Sequence, residues 1–321
     1  MKTIHITHPH SLNKDDLAPT VLALGYFDGV HLGHQKVINT AKKIADDKGI
    51  ACSVMTFDPH PSVVLGKGDK PVEYITSLTK KEALFKDLQI DYLYIVNFSR
   101  EFANLLPQQF VDQYIIDLNA RHVVAGFDFT YGHLGKGTME TLPVQSRGEF
   151  THTTVEKLSC NNEKVSSTLI KEHIRQGEMS NVKSLLGRNY TVSGMVINGE
   201  KRGRTIGFPT ANVKVDPDFI VPKLGVYAVR IQVKSKWYFG VCNIGLKPTF
   251  HENKKTPSIE VHIFNFNENI YDERVMIEWY ERIRSEKKFP SIDELVKQIE
   301  QDKKYTQEFF EKIYEHTCFL S

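Results

Sequence analysis

TVLAL (20–24) is apolar at every position. A run this short suits a buried strand. The stretch that follows the next turn, GHQKVINTAKKIADDKGI, reads as a helix closed by Gly49. ACSVMTF (51–57) reads as a second strand ending at DPHP, and DYLYIVNF (91–98) and RHVVAGFDF (121–129) as two more. Between those two, PQQFVDQYIIDLN carries apolar residues at helical spacing. Strands separated by helices of this length predict a parallel sheet with right-handed crossovers.

Near residue 188 the pattern changes. NYTVSGMVINGEKRGRTIGFPTANV is β-rich and broken by the turn pair Asn198-Gly199. In GVYAVRIQVKSKWYFGVCNIG, Tyr227, Val229, Ile231 and Val233 share one face while Arg230 and Gln232 take the other. PSIEVHIFNF repeats the alternation. Short strands with close turns predict a small antiparallel barrel. The end of the chain opens a helical pattern with a capping box, Ser291 to Glu294, and reads as one or two helices against the barrel. Two domains are expected, 1–184 and 185–321, with the boundary inside LLGRN.

Composition narrows the classes without choosing among them. With 41 Lys and Arg against 39 Asp and Glu, the net charge of +2 predicts neither a nucleic-acid footprint nor a polybasic membrane patch. No run of apolar residues is long enough to span a bilayer, and MKTIHITHPH lacks the apolar core of a signal peptide. The cysteines, Cys52, Cys160, Cys242 and Cys318, show no CxxC or zinc spacing and read as free thiols of a cytoplasmic protein. Oligomeric state is left open.

The chemistry concentrates at GYFDGVHLGHQ (25–35), where the first strand turns into the first helix. Gly25, Gly29 and Gly33 let the backbone approach a ligand closely, and a helix N-terminus aims N–H groups at an anion. His31 and His34 can then donate to oxygens gaining charge. Read alone, His-x-x-His fits helix caps, core histidines or a zinc site as well. Ser166, Ser167 and Thr168 cluster before a second helical pattern with Lys171 one turn on, which is either an anion cradle or a plain N-cap. NGEKRGRTIGFPTANV (198–213) joins glycines to Lys201, Arg202 and Arg204. It reads as a nucleotide cover or as hairpin turns.

Together these stretches resemble a family. GYFDGVHLGH is similar to the G-x-F-D-G-x-H-x-G-H signature of HxGH nucleotidyltransferases, specifically the prokaryotic bifunctional riboflavin kinase/FAD synthetases. TFDPHP (56–61), GFDFTYGHLGKGT (126–138) and VSSTLIKEHIRQG (165–177) resemble its further motifs in order. GRTIGFPTAN, GVYAV, NIGLKPTF, IEVHIF and RSEKKF resemble its kinase half. The resemblance implies an α/β Rossmann-like HxGH nucleotidyltransferase domain, then a small antiparallel β-barrel riboflavin kinase domain with a C-terminal helix. It also implies two reactions: riboflavin and ATP to FMN and ADP, then FMN and ATP to FAD and pyrophosphate. The implied partners are these small molecules, with Mg²⁺ as cofactor and ATP as co-substrate, and no nucleic acid or membrane.

By the same resemblance, Gly25, Phe27, Asp28, Gly33, Ser167, Thr168 and Lys171 bind ATP or its phosphates beside His31 and His34, and Lys201, Gly203 and Arg204 do so in the kinase. His60, Asp128 and Arg284 border flavin, although DPHP also reads as a rigid turn, Asp128 as a strand-end cap and Arg284 as part of a solvated charge run. Thr210 and Asn212 offer Mg²⁺ a hydroxyl and an amide oxygen on one face of an extended PTANV. Glu260 is the implied kinase base; otherwise it is an exposed strand glutamate. Lys171 replaces the family's Arg, keeping charge and losing the bidentate fork. Asp128 stands where many members carry Asn, and Asp272 where they carry Gly. The rivals are a single-activity enzyme, a flavin-responsive binding protein, and a transferase for another phosphate acceptor.

Overall fold

A computed structural model describes residues 1–66, 72–160, 163–200, 202–247 and 256–318. Lys201 and the end of NIGLKPTF lie outside them. The chain divides into two compact units, Met1–Leu169 and Ile170–Ser321.

In the first unit, β1 (Lys2–Ile6), β2 (Thr20–Leu24), β3 (Ala51–Asp58), β4 (Tyr92–Asn97), β5 (Ala120–Gly126) and β6 (Thr151–Val155) form one sheet in the order β1-β4-β3-β2-β5-β6. Every neighbouring pair is parallel. The apolar run of β2 is explained by its place between β3 and β5. Leu22 and Leu24 enter the core on one face, Val21 and Ala23 the core on the other, and all five residues are buried. The order reverses beside β2, because β3 and β4 extend to one side and β5 to the other. Such a reversal opens a crevice at the carboxyl ends of the strands.

Helix α1 (Leu32–Lys48) buries Val37, Ile38, Ala41 and Ala45 against that sheet. It ends at Gly49, whose left-handed φ of 64° returns its N–H to the carbonyls of Ala45 and Asp46. Helix α2 (Leu78–Asp87) buries Phe85 and Lys81. Helix α3 (Ser167–Gln176) begins within the SST motif and runs across the division between the units in sequence, and α4 (Met179–Leu186) follows it.

The second unit closes β7 (Tyr190–Ile197), β8 (Ala211–Val215), β9 (Gly225–Val233), β10 (Lys236–Lys247), β11 (Thr256–Ile263) and β12 (Arg274–Arg284) into an antiparallel barrel, ordered β7-β8-β11-β10-β9-β12. The predicted alternation holds: Tyr227, Val229, Ile231 and Val233 are buried, as are Ile259, Val261 and Ile263. Tyr227 meets Trp279 edge-on, with ring centroids 5.2 Å apart.

One detail differs from the sequence expectation. Asn198-Gly199 does follow the end of β7, but β8 starts only at Ala211, and a helical turn at Arg202–Thr205 intervenes. The loop folds back on β8, because a Cβ on Gly199 would stand 2.2 Å from the Asn212 amide nitrogen. The C-terminal helix is single, α5 (Ile292–Cys318), and Ser291 Oγ accepts the Glu294 N–H at 3.2 Å as the capping box requires. It packs Phe310 on Phe239 and Tyr280 of the barrel.

Candidate active sites

The crevice predicted by the strand order is a cavity of about 590 Å³ at the carboxyl ends of β2, β5 and β6. Its lining includes Gly25, Phe27, His31, Gly33, His34, Asp128 and Ser167. Phe57, Phe98, Phe102, Phe127 and Phe129 supply an aromatic wall. That size and mixture suit one planar, partly polar ligand.

The turn that enters α1 is wound left-handed at three of its residues: Phe27 at φ 56°, Gly29 at 84° and Val30 at 40°. Only Gly29 adopts this cheaply. The conformation is held from below. Asp28, 3% exposed, accepts the N–H groups of Ile75 and Thr76 at 3.0 and 3.3 Å, and its carbonyl accepts the Ser167 hydroxyl at 2.9 Å. The Asp28 carboxylate thus faces the interior, and a phosphate-facing part for it is not what the geometry offers.

His31 is the N-cap of α1, with Nδ1 accepting the His34 N–H at 3.2 Å. Its ring stacks on that of His34 with centroids 3.5 Å apart and planes 17° from parallel. The capping reading and the ligand reading are therefore compatible. Accepting at Nδ1 leaves the neutral imidazole's proton on Nε2, as a donor. Gly33 is small because a Cβ there would stand 3.1 Å from the His31 ring.

Ser166 Oγ accepts the Leu169 N–H at 3.3 Å and so caps α3. Ser167 and Thr168 occupy the helix's first turn, Thr168 exposed, and Lys171 lies half-buried one turn on. Asp128 pairs with Lys164 at 2.5 Å, and that ammonium lies 4.7 Å from the Phe127 ring centroid. Lys164 lines the cavity and was missed in the sequence, where it stands outside every motif. His60 departs from its expected place. Its Nδ1 accepts the Ser62 N–H at 3.0 Å to cap a short helix, its ring packs edge-on against Tyr26, and it does not line the cavity.

In the barrel, Glu260 pairs in register with Asn212 on one side and Asn243 on the other. This makes an amide–carboxylate–amide row across β8, β11 and β10, with the Thr210 hydroxyl 3.5 Å from the carboxylate. Asn243 was not singled out in the sequence, since only strand register reveals it. His262, on the same face, donates from Nδ1 to the Pro209 carbonyl at 2.9 Å and ties PTAN to β11. Burial lowers its pKa from the usual imidazole value. Thr210 and Arg204 line a cavity of about 510 Å³ with Tyr271 and Phe266; Glu260 and Asn212 stand outside that lining.

Gly203 makes a tight turn, where a Cβ would stand 2.3 Å from the Phe208 carbonyl oxygen. Arg284 has another partner than flavin. Its guanidinium grips Asp302 of α5, Nε at 2.9 Å from Oδ1 and Nη2 at 2.6 Å from Oδ2, with Asp302 only 3% exposed. Arg284 is therefore a strut between β12 and the C-terminal helix.

The donors around Glu260 are a hydroxyl, amide oxygens and a carboxylate, all hard oxygen ligands that fit Mg²⁺, which retains waters and phosphate oxygens. Among the described residues no cluster of three or more His, Cys, Asp and Glu suited to a metal occurs. A zinc reading of His31 and His34 has no further ligand there.

Comparison with known proteins agrees with both halves. The FAD synthetase family profile matches residues 13–169 and the riboflavin kinase profile residues 186–310. A bifunctional riboflavin kinase/FMN adenylyltransferase of Bacillus subtilis is 54% identical over 98% of this chain and 99% of its own. Its counterpart in Listeria monocytogenes is 46% identical over the same shares. A crystal structure described as a macrolide-efflux protein from Streptococcus pneumoniae superposes with a TM-score of 0.86 at 36% identity, covering 96% of this chain and 99% of that one. Among the described residues of this chain no helix is long and apolar enough to cross a membrane. With both halves matched in order and full-length relatives this similar, the chain belongs to the family of bifunctional riboflavin kinase/FMN adenylyltransferases.

Proposed function

We propose that the family's two reactions are divided between the two places just described: FMN adenylylation at the His31–His34 cavity and riboflavin phosphorylation beside Glu260. The domains we assign are 1–184 and 185–321. The reactions differ in what the acceptor needs. The phosphate of FMN is already largely dianionic at neutral pH, its second pKa being about 6. It attacks the α-phosphorus of ATP without a base, and pyrophosphate leaves. Nε2–H of His31, the imidazole of His34 and the first-turn groups of α3, with Lys171, meet the charge that develops on the departing oxygens. The observation that carries this reading is the stacked His31–His34 pair at a helix N-terminus, opening into the crevice where the strand order reverses.

The ribityl hydroxyl of riboflavin holds its proton, so the second site needs an acceptor for it. Glu260 takes that proton as the hydroxyl oxygen bonds to the γ-phosphorus of ATP and ADP departs. The Thr210 hydroxyl, 3.5 Å away, orients the carboxylate, with Asn212 and Asn243 beside it in register. Thr210 and Asn212 would hold Mg²⁺, and such an ion, when bound, would neutralise phosphate charge. Arg204, on the loop above, reaches the phosphates.

The test is a product assay on the full chain. Riboflavin and ATP should give FMN and ADP, and FMN and ATP should give FAD and pyrophosphate. Glu260→Ala should stop the first reaction alone and His31→Ala the second alone; equal loss of both in either variant would contradict separate sites.

A further inference from the structure

Helix α2 carries an amine where its apolar stripe should be. Lys81 is 2% exposed, on the face that also buries Phe85. Among the described residues no carboxylate lies within ion-pair distance, so burial of the charge is not repaid by a direct partner. Its Nζ instead donates to the Tyr26 carbonyl at 3.3 Å, lies 3.5 Å from Thr56 Oγ1, and sits 4.4 Å from the Tyr26 ring centroid. The same carbonyl accepts the Thr56 hydroxyl at 2.8 Å. Two donors therefore clamp the peptide that leads into Phe27, the first of the left-handed residues before His31.

Non-glycine residues in that region are strained and persist only where surrounding contacts over-determine them. We propose that Lys81 is a positioning residue of FMN adenylylation: its ammonium clamps the Tyr26 carbonyl and so holds the wound turn that aims His31 and His34 into the cavity. The inference rests on assigning adenylylation to that cavity. The groups bearing on Lys81 are the Asp28 and Asp58 carboxylates, which favour its charge, and Tyr26, against which Tyr74 and His60 also pack. Burial outweighs the carboxylates and brings the ammonium's pKa down to about 8.

The experiment is FAD synthesis from FMN and ATP by the full chain, followed from about pH 6 to about pH 10 and with folding checked by circular dichroism. Wild-type kcat should fall as pH rises past about 8, where Lys81 loses its proton. Lys81→Met keeps the stem and removes the charge; it should lose about 100-fold in kcat at neutral pH, with a smaller change in KM for ATP, and should lose the alkaline limb. Lys81→Arg stays charged across the range and should lack that limb. A folded Lys81→Met enzyme with wild-type kcat overturns the proposal, and so does an alkaline limb unmoved in either variant. If Lys81→Met does not fold, Lys81→Arg decides by the position of its limb. Wild-type protein that makes no FAD at any pH would overturn the assignment of the cavity instead.

Discussion

The two nitrogens of the His31 ring differ: Nδ1 accepts the His34 N–H at 3.2 Å, closing the first turn of α1, which leaves the neutral ring's proton on Nε2. Helix capping and anion donation are usually competing readings of a histidine at this position. Here the first fixes the tautomer that the second requires.

An asparagine can cap but has no Nε2–H at that reach. His31→Asn should therefore keep its melting temperature close to wild type, within about 1 kcal/mol of cap energy, while FAD synthesis falls about 100-fold. FMN formation in the same sample should be unchanged. Equal loss of stability and activity would reduce His31 to a cap.

Thr210 stands 3.5 Å from Glu260 and at the head of β8. Thr210→Val keeps its shape and removes the oxygen. The Mg²⁺ concentration for half-maximal FMN formation should rise about tenfold or more, and FAD synthesis from supplied FMN should keep its own Mg²⁺ requirement. Chelation should stop both reactions in wild type, and an Mg²⁺ titration should restore them.

Arg284 and Asp302 form a shielded pair, with side chains 15% and 4% exposed. Removing one partner leaves a charge with nothing to meet it. Asp302→Ala should cost about 3 kcal/mol in urea unfolding of the barrel. KM for riboflavin in the folded fraction should change little, and a rise without any loss of stability would return Arg284 to the flavin.

Lys81 should also leave a signature in stability. Its folded pKa is depressed, so between about 8 and the unfolded value of 10.5 the unfolded chain holds more protons, and stability gains with rising pH. Wild type should therefore improve relative to Lys81→Met across that window, in thermal melts of paired samples. A constant difference between the two would mean that Lys81 does not titrate there.

The parts that were legible in the sequence are those whose cause is local. TVLAL is apolar because β2 is covered on both faces, and Gly49 stops α1 by its own backbone freedom. The strands at the sheet's two edges, KTIHI and THTTV, each bury only their last residue fully, so neither shows an apolar run. Lys81 was invisible because a lysine in a helix normally marks the wet side. The carbonyl it serves is contributed by a turn 55 residues earlier. Arg284 stood in a charge-rich RSEKKF whose partner, Asp302, belongs to another element. Site residues inside a motif could be proposed from spacing, and those joined only by register or packing could not.

The barrel's closure sets an order of maturation. Tyr190 pairs with Trp279, so β7 has no neighbour on that side until β12 has been synthesised. The parallel sheet has its last strand by Val155. Domains fold as they leave the ribosome. The half that consumes FMN can thus be complete while the half that makes it is still an open sheet.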